Sequence, residues 1–190
     1  MKNSQGTFKS AKKLVLISAA FLILSCTKKN ENEVALGITG PFSGGTASLG
    51  ISSKNGVELA VEEINSAGGV LGKKITLVVR DDESKNEKGA QIAQELLDKE
   101  KVVAIVGPIN TGVADASTKY ANMRKVPQFI SVSSGAKVNE YFTEQADNYV
   151  FRLAVSDEIQ SNVIAREVAK RKFKKPAILC DETNFGQAGR

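Results

Sequence analysis

The chain has 190 residues, 26 of them Lys or Arg against 21 Asp or Glu, with two cysteines and no histidine. Histidine-based acid/base chemistry, Ser-His-Asp triads and the usual zinc constellations are therefore excluded. Four of the basic residues and none of the acidic ones fall in residues 1–25, so the remainder carries 22 basic against 21 acidic side chains and has no charge bias toward nucleic acid.

Residues 14–24 form an apolar run of 11 behind Lys2, Lys9, Lys12 and Lys13, and the run leads into Ser25-Cys26. As a helix it spans about 16 Å against about 30 Å of bilayer hydrocarbon, too short to remain as a membrane span. A basic start, a short apolar core and a small residue before a cysteine read as a lipoprotein signal over residues 1–25, with Cys26 lipidated as the new N-terminus. A simple secretory signal in which Cys26 is incidental is the other reading. Either way the protein is expected to work outside the cytoplasm, in the periplasm or at the cell surface. Residues 26–33 are mostly polar and charged, as expected of a flexible tether.

Short apolar runs then alternate with helical patterns. A strand is expected over 34–38, followed by a helix face at Val57, Ala60, Val61 and Ile64, which Gly68-Gly69 stops. The next strand, 75–79, closes at Arg80-Asp81-Asp82, and Ala93, Leu96 and Leu97 mark the second helix. A β-branched strand over 102–106 breaks at Gly107-Pro108; Val113, Ala116, Tyr120 and Met123 carry the third helix, and 126–132 is a fourth strand. Further on, Cys180 lies in the apolar run Pro176-Ala177-Ile178-Leu179-Cys180 and reads as an inert buried thiol. The basic cluster from Lys170 to Lys175 reads as a helix end facing its dipole. This alternation predicts a doubly wound α/β fold with a parallel sheet covered on both faces.

Ligands in such folds sit beyond the carboxyl ends of the strands. Three loops there, 39–49, 107–112 and 131–136, are rich in Gly, Ser and Thr. Asn110 or Thr111 can cap the third helix, whose free N–H groups and partial positive charge suit a carboxylate. Ser133 and Ser134 can add hydroxyl donors, so the set would hold a small anionic or zwitterionic ligand; the same residues also serve ordinary capping and turns. No nucleotide-binding glycine motif is present, and Asp81-Asp82 reads as a turn cap rather than a metal or phosphoacceptor site. With no nucleophile-base pair and no metal set visible, neither enzymatic activity nor a cofactor is expected.

The segments Val34-Ala35-Leu36-Gly37-Ile38-Thr39-Gly40-Pro41-Phe42-Ser43-Gly44, Leu49-Gly50, Gly56-Val57-Glu58-Leu59-Ala60 and Ile64-Asn65-Ser66-Ala67-Gly68-Gly69-Val70-Leu71-Gly72 resemble the start of the leucine/isoleucine/valine-binding group of type I periplasmic binding proteins. The likeness continues through Arg80-Asp81-Asp82, Val106-Gly107-Pro108, Phe151-Arg152 and the 181–186 stretch.

The resemblance implies a two-lobed clamshell that captures a small solute, usually an amino acid, and delivers it to the permease of an ABC transporter. It implies that Thr111 donates its hydroxyl to the ligand carboxylate, that Ser133 contributes backbone and side-chain contacts, and that Leu49 and Phe185 stand where family members often carry aromatic residues, tyrosine in the second case. Gly135 stands where a ligand-binding threonine is common, and Ser84 and Asn110 where some members have a disulfide. Family members are roughly twice this length. The resemblance therefore assigns residues 34–154 to most of a first lobe and 155–190 to the start of a second, with 159–168 as its opening helix and 177–180 as its opening strand, so that a truncated form with impaired binding is expected. A ligand-sensing receptor or regulator of the same fold is the alternative, which the export signal disfavours.

Overall fold

The computed structural model describes residues 31–140 and 147–188. The signal, Cys26 and most of the tether lie outside these residues. No described helix is long and apolar enough to cross a membrane.

Five strands form one parallel sheet: β1 (Glu33–Gly40), β2 (Lys74–Asp81), β3 (Ala104–Val106), β4 (Gln128–Ile130) and β5 (Val150–Arg152), in the order β2-β1-β3-β4-β5. β1 begins at Glu33, one residue earlier than expected, and pairs with β2 along its whole length from Glu33 opposite Lys74 to Gly40 opposite Asp81. The first three of the four crossovers carry long helices: α1 (Ala47–Ser66), α2 (Asn86–Asp98) and α3 (Thr111–Arg124). The step from β1 to β2 runs one way along the sheet and the steps through β3 and β4 run the other way. Right-handed crossovers therefore put α1 on one face and α2 and α3 on the other. The reversal leaves a crevice between the carboxyl ends of β1 and β3, the switch point where open α/β sheets bind ligands.

The core lies under α2 and α3. Ile92, Leu96 and Leu97 of α2 pack with Val102, Ile105 and Ala121, and a second cluster joins Ala114, Ile130, Val138 and Val150. Val138 sits on the short α4 (Lys137–Glu140). The expected α2 face is buried as read, but the α3 face is rotated. Met123 is 64% exposed and Ala116 and Tyr120 are half-buried, whereas Val113, Ala114, Ser117, Thr118 and Ala121 are buried. Two of those are polar, and both turn their hydroxyls back on Ala114 O, at 3.4 Å from Ser117 and 2.9 Å from Thr118. A hydroxyl that donates within its own helix can be buried with little need of a partner across the interface, and Ser117 also accepts from another element, Gln128 Nε2 at 3.4 Å. On α1, Val61 is buried and Val57 half-buried, but Ala60 and Ile64 are exposed.

The carboxy-terminal part departs most. Helix α5 (Asp157–Lys170) forms as expected: Ser156 accepts from Glu158 N at 3.3 Å, acidic residues open its first turn and Lys170 closes its last. Its apolar residues Ile159, Val163 and Ile164 are nonetheless exposed. Residues 177–180 form no strand, with Ile178 70% and Leu179 103% exposed. Cys180, expected to be buried, is exposed as well. A strand is held by hydrogen bonds to a neighbour, and no described strand runs beside this segment. The chain ends in a short α6 (Asn184–Ala188).

Candidate functional site

The connection between β3 and α3 is held open by a close approach that only glycine permits. Gly107 has φ 107°, and a Cβ there would collide with the carbonyl oxygen of Thr39 on β1. Gln128, fully buried on β4, donates from Nε2 to Gly107 O at 2.9 Å and to Ser117 Oγ at 3.4 Å. Together these fix where α3 begins. Asn110 takes the cap position with extended backbone, yet its side chain makes no capping bond and its Oδ1 is buried without a hydrogen-bond partner. The first intrahelical bond is Ala114 N to Asn110 O at 3.0 Å, so the N–H groups of Thr111, Gly112 and Val113 have no partner within the helix.

A cavity of about 820 Å³ lies over this helix start. Its walls come from five segments, all beyond the carboxyl edge of the sheet: the start of α1 with Leu49, the turn before α2 with Ser84 and Asn86, the loop 109–112, the loop 132–134, and residues 181–185. Of the seven residues expected to bind ligand, the structure brings six together as lining: Leu49, Asn110, Thr111, Ser133, Ser134 and Phe185. Thr111 and Ser133 form the floor, 5% and 3% exposed, with Ser133 Oγ donating to Thr111 Oγ1 at 3.1 Å. Leu49 and Phe185 stand at the mouth, 51% and 55% exposed.

Gly135 does not line the cavity. It packs behind the floor, where a Cβ would run into the Thr111 methyl, and its carbonyl accepts from Arg152 Nη1 at 2.8 Å. The same nitrogen reaches Ser134 O at 3.3 Å, and Asp157 N donates to that oxygen at 2.9 Å, so β5 and α5 hold the serine loop from outside. Composition singled out none of Ser84, Asn86, Thr183 or Asn184. They are polar residues in turns or at helix starts, and only the tertiary fold brings them to the cavity.

Asp81 and Asp82 do the turn work expected of them, in two different environments. Burial works to raise the Asp81 carboxyl, but hydrogen bonds from Ser43 Oγ (2.7 Å), Phe42 N (2.9 Å) and Glu83 N (2.9 Å) outweigh it and hold its pKa below the usual value. Burial dominates at Asp82, which is fully enclosed, and pushes its pKa up against bonds from Ser84 N (2.9 Å) and Thr39 Oγ1 (3.4 Å). The pair ties the loop after β1 to the turn after β2. Thr46 and Ser84 repeat the tie with a 2.7 Å hydroxyl contact at the cavity edge. Burial likewise raises the Asp115 carboxyl on α3, against a hydrogen bond from Asn184 and the charge of Lys137.

The family model described as "Periplasmic binding protein" matches residues 33–190, nearly the whole of the described fold. The chain belongs to the periplasmic binding protein family. An "Amino acid binding protein" of Pseudomonas aeruginosa is 31% identical over 179 residues, covering 93% of this chain and 46% of the relative. A solute binding protein of an ABC transporter from Rhodopseudomonas palustris, solved with 3,4-dihydroxybenzoic acid, superposes with a TM-score of 0.72 at 28% identity, over 84% of this chain and 42% of that one. A branched-chain amino acid transporter substrate binding protein from Streptococcus pneumoniae, solved with isoleucine, gives 0.66 at 29% identity over 73% and 38%. The chain thus spans about half the length of the curated relatives it matches. Membership of this family implies an extracytoplasmic place of work, and the expected type I periplasmic binding protein fold is the one observed over the part that the described residues span.

Proposed function

We propose that this chain supplies the first-lobe wall of an extracytoplasmic solute receptor for an ABC importer, and that its ligand is an amino acid of the branched-chain type or a related small carboxylate. The observation that carries this reading is the buried Ser133–Thr111 hydroxyl pair at the start of α3. Ser133 spends its proton on Thr111, which leaves the Thr111 proton free to point into the cavity beside unpaired helix N–H groups, an arrangement suited to a carboxylate. Leu49 and Phe185 give an apolar rim for the side chain, and Asn110 and Ser134 complete the polar lining. In this reading Cys26 carries the lipid that anchors the receptor near its permease.

On residues 27–190 alone the rim is half open to water, so binding is weak. Isothermal titration of that chain with leucine, isoleucine, valine and 3,4-dihydroxybenzoate is expected to give dissociation constants of about 1 mM or weaker. Nuclear magnetic resonance signals of Thr111 and Ser133 should shift during the same titrations. Micromolar affinity would show that one wall suffices, and unmoved Thr111 and Ser133 signals at saturating carboxylate would remove the site assignment.

A further inference from the structure

Residues 70–73 make a tight turn just before β2, with Val70 N donating to Lys73 O at 2.8 Å and Lys73 N to Val70 O at 3.0 Å. Its two central residues, Leu71 and Gly72, have φ of 52° and 75°. Such a turn favours Asn-Gly; a leucine there sits in the left-handed region at a steric cost. Leu71 is 96% exposed and Val70 46%, so no contact within the fold offsets that cost. Lys73 and Lys74, both exposed, follow directly. An apolar tip beside two lysines suits an interface where a short side chain enters the acyl boundary while ammonium groups meet anionic headgroups.

The position of the turn says which interface. Lys74 N donates to Asn32 O at 2.9 Å, so the tip sits where the chain enters the fold. Five residues lie between Cys26 and Asn32, and the six steps of chain between them reach at most about 22 Å. We propose that the 70–74 turn rests on an anionic lipid surface, with Leu71 inserted and Lys73 and Lys74 on phosphate headgroups. The proposal builds on lipidation at Cys26. The cavity lies at the opposite end of β1, about 26 Å away along eight residues, and so opens away from the bilayer.

The chain contains no tryptophan, so an indole at position 71 reports its own surroundings. Full-length Leu71→Trp, produced in a lipidating bacterium, is reconstituted into phosphatidylglycerol/phosphatidylethanolamine vesicles with brominated acyl chains. The expected result is strong quenching at position 71 and none for Leu179→Trp. Lys73→Glu with Lys74→Glu should weaken the lipid contact by at least about fivefold. Leu71→Asn should raise the thermal midpoint by about 2–4 °C, since asparagine tolerates the turn better. Protein that floats with the vesicles while position 71 stays unquenched overturns the proposal and leaves the anchor standing. Protein that does not float at all removes the anchor, and the proposal with it. A lower midpoint for Leu71→Asn would mean that the leucine serves the fold, and would also overturn it.

Discussion

Ser133 Oγ and Thr111 Oγ1 lie 3.1 Å apart in the floor of the cavity and join the loop after β4 to the first turn of α3. Both side chains are almost fully buried, so removing one hydroxyl strands the other. Thr111→Val keeps the shape and deletes the oxygen. It is expected to cost about 1–3 kcal/mol of stability, read as a lower urea midpoint. Carboxylate affinity should fall about 10- to 100-fold, as for a lost hydrogen bond to a charged group. Thr111→Ser keeps the oxygen and should retain most of both; equal losses in the two variants would detach the hydroxyl from binding.

Asp81 and Asp82 are adjacent but should give pH dependences of opposite sign. The Asp81 pKa is lowered in the fold, so its contribution is present above the unfolded value of about 4 and disappears as pH falls through the folded value. The Asp82 pKa is raised by burial, so the ionised group costs stability at neutral pH and that cost is relieved as pH falls. Urea midpoints between pH 3 and pH 7 check this. The gap between parent and Asp81→Asn should narrow toward acid, while the parent should gain on Asp82→Asn over the same range. Parallel curves would show that the two carboxylates share one environment.

What sequence could show follows the physics of each element. α2 is legible because its buried positions are apolar at the helical period, as with Ile92, Leu96 and Leu97, whereas β1 and β2 are legible as short apolar runs bounded by glycine or charged residues. On α3 the buried stripe includes Ser117 and Thr118, whose hydroxyls bond to Ala114 O, and hydropathy periodicity cannot see burial bought that way. β5 is three residues long with Phe151 44% exposed, too short for a period. At the cavity, Thr111 is legible from helix-start chemistry and Ser133 from the serine-rich loop after the fourth strand. Asn86 and Asn184 reach the cavity only through packing that no local signal encodes. Segment 177–180 shows the reverse failure: a β-like composition marks a strand only where a neighbouring strand can pair with it.

Gln128 is a polar residue in the middle of the sheet, and its amide carries the β3–α3 connection by donating to Gly107 O at 2.9 Å. Its Oε1 is buried with no hydrogen-bond partner, so the side chain is only half satisfied. Gln128→Leu removes that orphan but leaves Gly107 O unpaired beside the helix start. The net loss is expected to be about 1–3 kcal/mol, and carboxylate binding should weaken because the loop from 107 to 111 is no longer held. Gln128→Glu should be worse at neutral pH, since it buries a charge and loses the donor. Chemical denaturation at pH 7 orders the three proteins, and a stabilised Gln128→Leu would show that the unpartnered Oε1 outweighs the bond to Gly107.

Gly135 decides whether a threonine hydroxyl can be added to the floor at that position. Its Cα lies so close to Thr111 that a new Cβ would strike the Thr111 methyl, and Arg152 fixes the local backbone by donating to the carbonyls of Gly135 and Ser134. Gly135→Thr is therefore expected to destabilise by about 1–3 kcal/mol and to push the Thr111 hydroxyl off its place, weakening carboxylate binding. The clash is with a methyl group, so Thr111→Ser should relieve it while keeping the oxygen. The double variant should be more stable than the sum of the single changes predicts, with a coupling of about 0.5–3 kcal/mol in a double-mutant cycle. Urea denaturation of the four proteins measures that coupling. Strict additivity, or tighter amino-acid binding by Gly135→Thr alone, would mean that the floor yields at this point and that the glycine is not required by Thr111.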